Sequence, residues 1–270
     1  MRVLLVSSYT MEYTTRVDHA PPLALLCIAA ILREAGHHPR ILDLDSLNPT
    51  EGDQREAFYI SAILEEIKSL DPGMVGFNCL LSAHFSFTRR AAVAIKAQFP
   101  TLPVVLGGIH PTLFAREIIQ NCQEIDAIVI GEGERQAVAL ATAFAENRRE
   151  AIYQIEALAY RDRNGQASVN PRREFIHDLD SLPLPAWDLI RLEDYYIDHP
   201  TWYNPRGLDI KMSVPIMTSR SCPYDCNFCS SHYLMGRGLR LRSPKLVVDE
   251  MEMIYQRNGI NYFGFVDDNL

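Results

Sequence analysis

The residues with the densest chemistry form one short stretch, Ser221-Cys-Pro-Tyr-Asp-Cys-Asn-Phe-Cys-Ser230, a C-x3-C-x2-C arrangement directly after the strand-like run VPIMTSR. Three thiolates on so short a loop can grip three corners of a cubane 4Fe-4S cluster, which leaves the fourth iron without a protein ligand. An unfilled coordination position is what a catalytic metal site requires. Zinc is the competing metal, but a structural zinc site takes four ligands, commonly as two C-x2-C pairs, and a second pair is missing. His232 is close enough in sequence to complete a zinc set, and three unrelated core cysteines are the remaining alternative. Of the six cysteines, Cys27, Cys79 and Cys122 are scattered through apolar segments while Cys222, Cys226 and Cys229 crowd together. That distribution fits a reducing compartment and a single metal site rather than a disulfide framework.

The elements that must position this loop fall into three segments. Over residues 1–150, short β-branched runs (RVLLVSS, PRILDLD, MVGFN, PVVLGG, AIVIG) alternate with helical periodicity starting near Leu23, Glu56, His84, Thr112 and Arg135. Five strand-helix units in series predict an α/β fold, a doubly wound parallel sheet of Rossmann-like type covered on both faces. Its ligand belongs beyond the carboxyl ends of the strands, where the loops carry Ser7, Ser8, Asn78, Gly107, Gly108, Gly131 and Gly133. At Gly107 and Gly108 the missing Cβ atoms would let a flat ligand lie against the backbone. Gly131-Glu-Gly-Glu134 stands at a helix entry, where acidic residues complement the dipole. The glycines flanking Glu132 predict a loop that folds over a ligand. Residues 151–213 read as a hairpin closed at Asn164-Gly165, the pair suited to the positive φ angles of a tight turn, followed by a proline-rich connector. Residues 214–270 read as strand, cysteine loop, a helix capped by Ser243 and ended by Gly259, and a second strand.

The cysteine loop, including Phe228 just before its third cysteine, resembles that of the radical S-adenosylmethionine (radical SAM) superfamily. The resemblance implies that the open iron chelates S-adenosylmethionine and that one electron cleaves it to a 5′-deoxyadenosyl radical, with Phe228 near the adenine. GRGLRLRSPKLVVDEM and NYFGFVDDN are similar to the segments that follow the cluster in the cobalamin-dependent branch, where Asp267 and Asp268 would face S-adenosylmethionine. PPLALLCIAAILREAG, VVLGGIHPT and DAIVIGEGE resemble the cobalamin-binding domain that precedes such a radical domain. By that resemblance Asn78, Gly107, Gly108, His110, Gly131, Glu132 and Gly133 are the candidate cobalamin contacts. The sequence departs from many cobalamin domains in lacking an Asp-x-His-x-x-Gly loop after the first strand. Asp18-His19 and His110 are weak substitutes, so the expectation is a cobalt without a protein ligand on its lower face. Cys79 reads as a small buried hydrophobe. Two rival uses of such a sheet find little support. The first turn, Ser7-Ser-Tyr-Thr, has no G-x-G-x-x-G for a dinucleotide, and Cys27 and Cys122 fall on predicted helices rather than in a second cluster loop.

A net charge of -8 argues against a nucleic-acid or anionic-membrane surface. The longest apolar run, Leu23 to Leu32, is about half of the roughly 20 residues that span a bilayer. The expected protein is therefore cytoplasmic and acts on a small molecule. The resemblance implies a cobalamin-dependent radical SAM enzyme, methyltransferase-like, that methylates or rearranges a small organic substrate and draws electrons from a donor such as flavodoxin or ferredoxin. It also implies that residues 214–270 are only the start of a partial (β/α) barrel, so that the chain is a catalytically incomplete N-terminal portion. The alternative is a cobalamin-binding module without turnover.

Overall fold

The structure, a computed structural model, describes residues 1–7, 20–47, 55–196, 207 and 210–269. Ser8, Asp18 and His19 lie outside the described residues. The front of the chain builds one sheet from strands β1 (Arg2–Ser7), β2 (His38–Leu42), β3 (Met74–Asn78), β4 (Val104–Gly107), β5 (Ala127–Val129), β6 (Leu158–Arg161) and β7 (Ala167–Val169). Their order is β2-β1-β3-β4-β5-β6-β7, and the first five are parallel. Helices α1 (Leu23–Glu34), α2 (Arg55–Leu70), α3 (Ser82–Gln98), α4 (Ile109–Leu113), α5 (Ala115–Asn121) and α6 (Glu134–Ala145) connect them. Both faces are covered, as the apolar inner strands require. Alternate residues of β1 enter opposite cores: Leu4 and Val6 pack with residues of α2, α3 and α5, whereas Val3 and Leu5 pack with residues of α1 and α6.

The strand order reverses between β1 and β3, and a ligand of a doubly wound sheet belongs at that switch point, beyond the carboxyl ends. Two sequence expectations need correction. The helix expected near Thr112 is two short helices broken at Phe114, whose backbone leaves the helical region at φ -117°. In the hairpin only Gly165 takes a positive φ, +76°. Asn164 does not need one, because Asp162 Oδ1 accepts from the backbone N–H groups of Asn164 and Gln166 and shapes a wider turn.

The hairpin also joins the front sheet, with β6 antiparallel to β5, so that the sheet extends past residue 150. Arg161 helps to fix it there by donating to the carbonyls of Ile119 and Ile125, both at 2.6 Å.

A second unit contains β8 (Val214–Ile216), β9 (Ser219–Arg220), α7 (Ser231–Met235), β10 (Arg240–Leu241), α8 (Pro244–Asn258) and β11 (Phe263–Phe265). Strands β8 and β11 are parallel and joined through α8. Ser243 accepts from the backbone N–H of Leu246 at the start of α8, and Gly259 ends that helix at φ 69°. A third apolar cluster, from Leu26 of α1 through Trp187 and Tyr195 to Val214, Ile216, Val247 and Ile254, seats this unit on the outer side of α1.

Candidate functional site

Two features converge at the carboxyl end of the front sheet. The first is the set of strand-end loops. Gly107 ends β4 with open space where a Cβ would stand. Gly108 is different: at φ +102° its Cβ would meet the carbonyl oxygen of Cys79 at 2.6 Å and Asn78 Oδ1 at 2.8 Å. The protein's own β3 loop, pressed against Gly108, therefore accounts for that glycine. Ser7 is buried and internal to the fold, donating to Asp43 Oδ1 at 2.6 Å and accepting from the Leu44 N–H at 2.8 Å. His110 pairs through Nδ1 with Ser82 Oγ at 2.9 Å, and its ring lies 4.8 Å from that of Phe85 and 4.9 Å from that of Phe114. Burial holds its pKa below the usual histidine value. Leu80, Leu81, Leu113 and Phe114 are exposed around it. Such an apolar rim is expected where a large, flat ligand is covered.

The second feature is the cysteine loop. It leaves β9 through Ser221, a buried serine in the left-handed region at φ +72° whose hydroxyl donates to the carbonyl of Gly236 at 2.6 Å. Cys222 pairs with Arg237 in an isolated bridge, and the Cys229 N–H donates to the Cys226 carbonyl at 3.1 Å. Cys226 is exposed, Cys222 and Cys229 are half-buried, and Phe228 is 88% exposed. Among the described residues no three His, Cys, Asp or Glu side chains converge to hold one metal ion. A cubane makes a different demand, because its corners are spread apart and ask for ligands distributed around a loop. The donor set, three thiols on an accessible turn, fits that demand.

The loop is held against the sheet end from two directions. Helix α7, which starts two residues after Cys229, packs on α4. Gly131, at φ +73°, makes room for it: a Cβ there would meet the Leu234 carbonyl oxygen at 2.8 Å. Below the loop, Arg220 and Arg240 are cross-strand partners, and both donate to Glu132 Oε1, at 3.0 and 2.6 Å. Glu132 Oε2 accepts from the Ile176 N–H at 3.0 Å. The Glu132 carboxylate is therefore committed to buried protein donors, which corrects the expectation that it faces a ligand. Glu134 pairs with Arg220 at 2.5 Å. Burial opposes the charge of Glu134, but Arg220 outweighs it and holds the carboxyl below its usual pKa. Sequence reading missed both arginines; the only local signal was their position flanking the cysteines.

Asp267 was expected to face S-adenosylmethionine. Its two oxygens instead accept from Thr218 N, Thr218 Oγ1 and Ser219 N at 2.6 to 2.7 Å, tying β11 to the turn before β9. Asp268 accepts from Ser231 Oγ at the start of α7. Cys27 lies on α1 and Cys122 one residue beyond α5. Burial pushes the Cys27 thiol up to about 12 and raises that of Cys122. Cys79 is buried in the β3 loop, with its thiol 3.6 Å from the Leu81 carbonyl.

Residues 13–141 match the B12 binding domain family model. A B12-binding domain is present. The chain is 32% identical over 270 residues to an uncharacterized methyltransferase of Pyrococcus horikoshii, covering 99% of this chain and 53% of that protein. It is 30% identical over 271 residues to the anaerobic magnesium-protoporphyrin IX monomethyl ester cyclase of Rubrivivax gelatinosus, covering 99% of this chain and 45% of the cyclase. The chain thus spans about half the length of these relatives. Among solved structures it is similar to the radical S-adenosylmethionine methyltransferase TsrM of Kitasatospora setae with cobalamin and a 4Fe-4S cluster bound. There the TM-score is 0.71 and the identity 23%, over 99% of this chain and 47% of that one. The cobalamin-dependent S-adenosylmethionine radical enzyme OxsB matches with a TM-score of 0.74 and 16% identity, over 99% of this chain and 34% of that one. These two likenesses bear on the fold, which in both extends across the B12-binding domain and the second unit. Among the described residues no helix is long and apolar enough to cross a membrane.

Proposed function

We propose that this chain is the cofactor-bearing part of a cobalamin-dependent radical SAM enzyme that methylates a small organic substrate. The observation that carries the reading is a juxtaposition: the three-cysteine loop lies over the carboxyl end of the B12-binding domain, with α7 on α4 and Glu132 beneath Arg220 and Arg240. Two cofactors that exchange a group or an electron must lie close, and this packing brings their candidate sites together. Cys222, Cys226 and Cys229 would hold a 4Fe-4S cluster, leaving one iron for S-adenosylmethionine. Gly107, with open space above it, and the apolar rim of Leu80, Leu81, Leu113 and Phe114 would seat the corrin, with Asn78 and the Gly131 and Gly133 backbone at its edge.

When bound, the cluster and S-adenosylmethionine would supply a radical able to abstract hydrogen from unactivated carbon, and cobalamin would supply a methyl group. The chain's own residues do the placing. His110, whose pKa burial holds below the usual histidine value and whose ring is fixed by Ser82, Phe85 and Phe114, would wall one side of the corrin site. Phe228 stands exposed at the loop tip, available to stack on adenine. A low-potential donor such as flavodoxin or ferredoxin would deliver the electron through the exposed face around Cys226.

Anaerobic reconstitution with iron and sulfide, followed by titration with hydroxocobalamin, tests the reading. A 4Fe-4S spectrum lost on replacing any one of the three cysteines, together with corrin binding, supports it. Corrin binding without a cluster would leave only a cobalamin-binding module, and a closed tetrahedral zinc site would overturn the radical chemistry.

A further inference from the structure

The two strands that flank the segment carrying the cysteine loop and α7 are tied to a single carboxylate of the front domain. Upstream, Glu132 Oε1 accepts from Arg220, which stands two residues before Cys222. Downstream, the same oxygen accepts from Arg240, whose guanidinium also donates to the Met235 carbonyl at the end of α7 and to Ile176 O at 2.7 Å. Glu132 itself sits between Gly131 and Gly133, on the loop that leaves β5. Arg172 fixes the backbone of that loop, donating to the carbonyls of Ile130 and, at 2.8 Å, Glu132. At its other end, the Gly131 N–H donates to Thr112 Oγ1 of α4 at 2.9 Å. A path of hydrogen bonds and backbone therefore runs from α4, which would border the corrin, through the Gly131–Gly133 loop to the strands β9 and β10 that flank the cysteine loop and α7.

We propose that Glu132 is a positioning residue that couples the two cofactor sites, so that filling either one raises the affinity of the other. The inference rests on the proposed function. Its physical basis is that Glu132 is buried and its partners are buried cations, so the group has few alternative arrangements. A corrin settling against α4 and the Gly131 loop would restrict the loop carrying Glu132, and through Arg220 and Arg240 would restrict the approach of Cys222 and Cys229. Linkage then requires the reverse effect to be equal.

The test is a hydroxocobalamin titration of the 270-residue chain in two states, reconstituted with the cluster and stripped of iron by chelation under reducing conditions. The expected result is binding tighter by about five-fold or more in the reconstituted state. Iron should resist chelation to the same degree once hydroxocobalamin is present. The paired substitution Glu132→Met with Arg240→Met removes one charge of each sign and leaves Arg220 on Glu134, an exchange that buried ion pairs commonly tolerate. It should retain binding of the corrin and of the cluster while the ratio between the two states falls to one. Glu132→Gln, which keeps the shape, should lower that ratio part of the way.

A wild-type chain that binds both cofactors with no difference between states would overturn the coupling and leave the function standing. So would a paired variant that weakens both affinities and keeps the ratio, because that is the signature of a structural tie alone. A wild-type chain that binds no corrin or no cluster would remove the proposed function, and this inference with it.

Discussion

Arg220 and Arg240, opposite each other across the β9–β10 ladder, donate to one and the same oxygen, Oε1 of Glu132, at 3.0 and 2.6 Å. Two like charges so placed are tolerable in a buried setting only while a carboxylate lies between them. Glu132→Ala leaves Arg240 without its carboxylate and should cost about 3–5 kcal/mol, read as a fall in the midpoint of urea unfolding. Arg237→Ala removes an exposed pair with Asp225 and should cost no more than about 1 kcal/mol. Equal losses in the two variants would show that the buried network does not stabilise the fold as argued.

Two neighbouring glycines should separate stability from binding. Gly108→Ala places a Cβ 2.6 Å from the Cys79 carbonyl at φ +102°, and should destabilise the chain by about 1–3 kcal/mol. Gly107→Ala meets nothing within 4 Å and should leave thermal stability nearly unchanged. If the corrin rests on β4, Gly107→Ala should nevertheless weaken hydroxocobalamin binding. A Gly107→Ala chain with unaltered corrin affinity would move the seat elsewhere.

Glu134 gives a dependence on acid. Its folded pKa lies below the unfolded value, so its contribution is fully present above about pH 4.5 and is lost as the pH falls towards the lower, folded value. Thermal melts taken from pH 6 down to about pH 3.5 should therefore fall less steeply in Glu134→Gln than in the wild type. The variant starts lower at pH 6, because Arg220 keeps only Glu132 as a charged partner.

The cysteines should divide by reactivity. At about pH 8, iodoacetamide should modify Cys226, which is exposed, and spare Cys27, whose thiol stays protonated up to about 12. Cys27 is half-buried and lines a cavity of about 30 Å³ together with Glu134, Arg220 and Arg242. Peptide mass mapping before and after cluster reconstitution would show whether Cys226 becomes protected.

The inner parallel strands were legible in the sequence because β1, β3, β4 and β5 are largely buried and read as short apolar runs, whereas β2, HPRIL at the sheet edge, was marked mainly by its place between two helices. The helix caps Ser243 and Gly259 were legible because capping is local chemistry. The three crowded cysteines were plain as a candidate site, since the pattern lies within a few residues of sequence. Glu132 was not: its partners are 88 and 108 residues away, and a buried carboxylate between two glycines looks like a ligand loop until those arginines are seen. Asp267 misled for the same reason, its partners lying 48 and 49 residues back in the chain. The hairpin was read correctly as a hairpin, but its place on the sheet depends on Arg161 reaching carbonyls in another segment.

Ser221, with its left-handed backbone and its hydroxyl on Gly236, turns the chain sharply just before the first sulfur. A free peptide would not keep that heading, because an unsupported serine relaxes out of a conformation that costs it of order 1 kcal/mol. The decapeptide from Ser221 to Ser230 thus carries every sulfur of the motif and none of its aim. Grafting the motif into another scaffold would need the Gly236 acceptor and the paired arginine strands to travel with it.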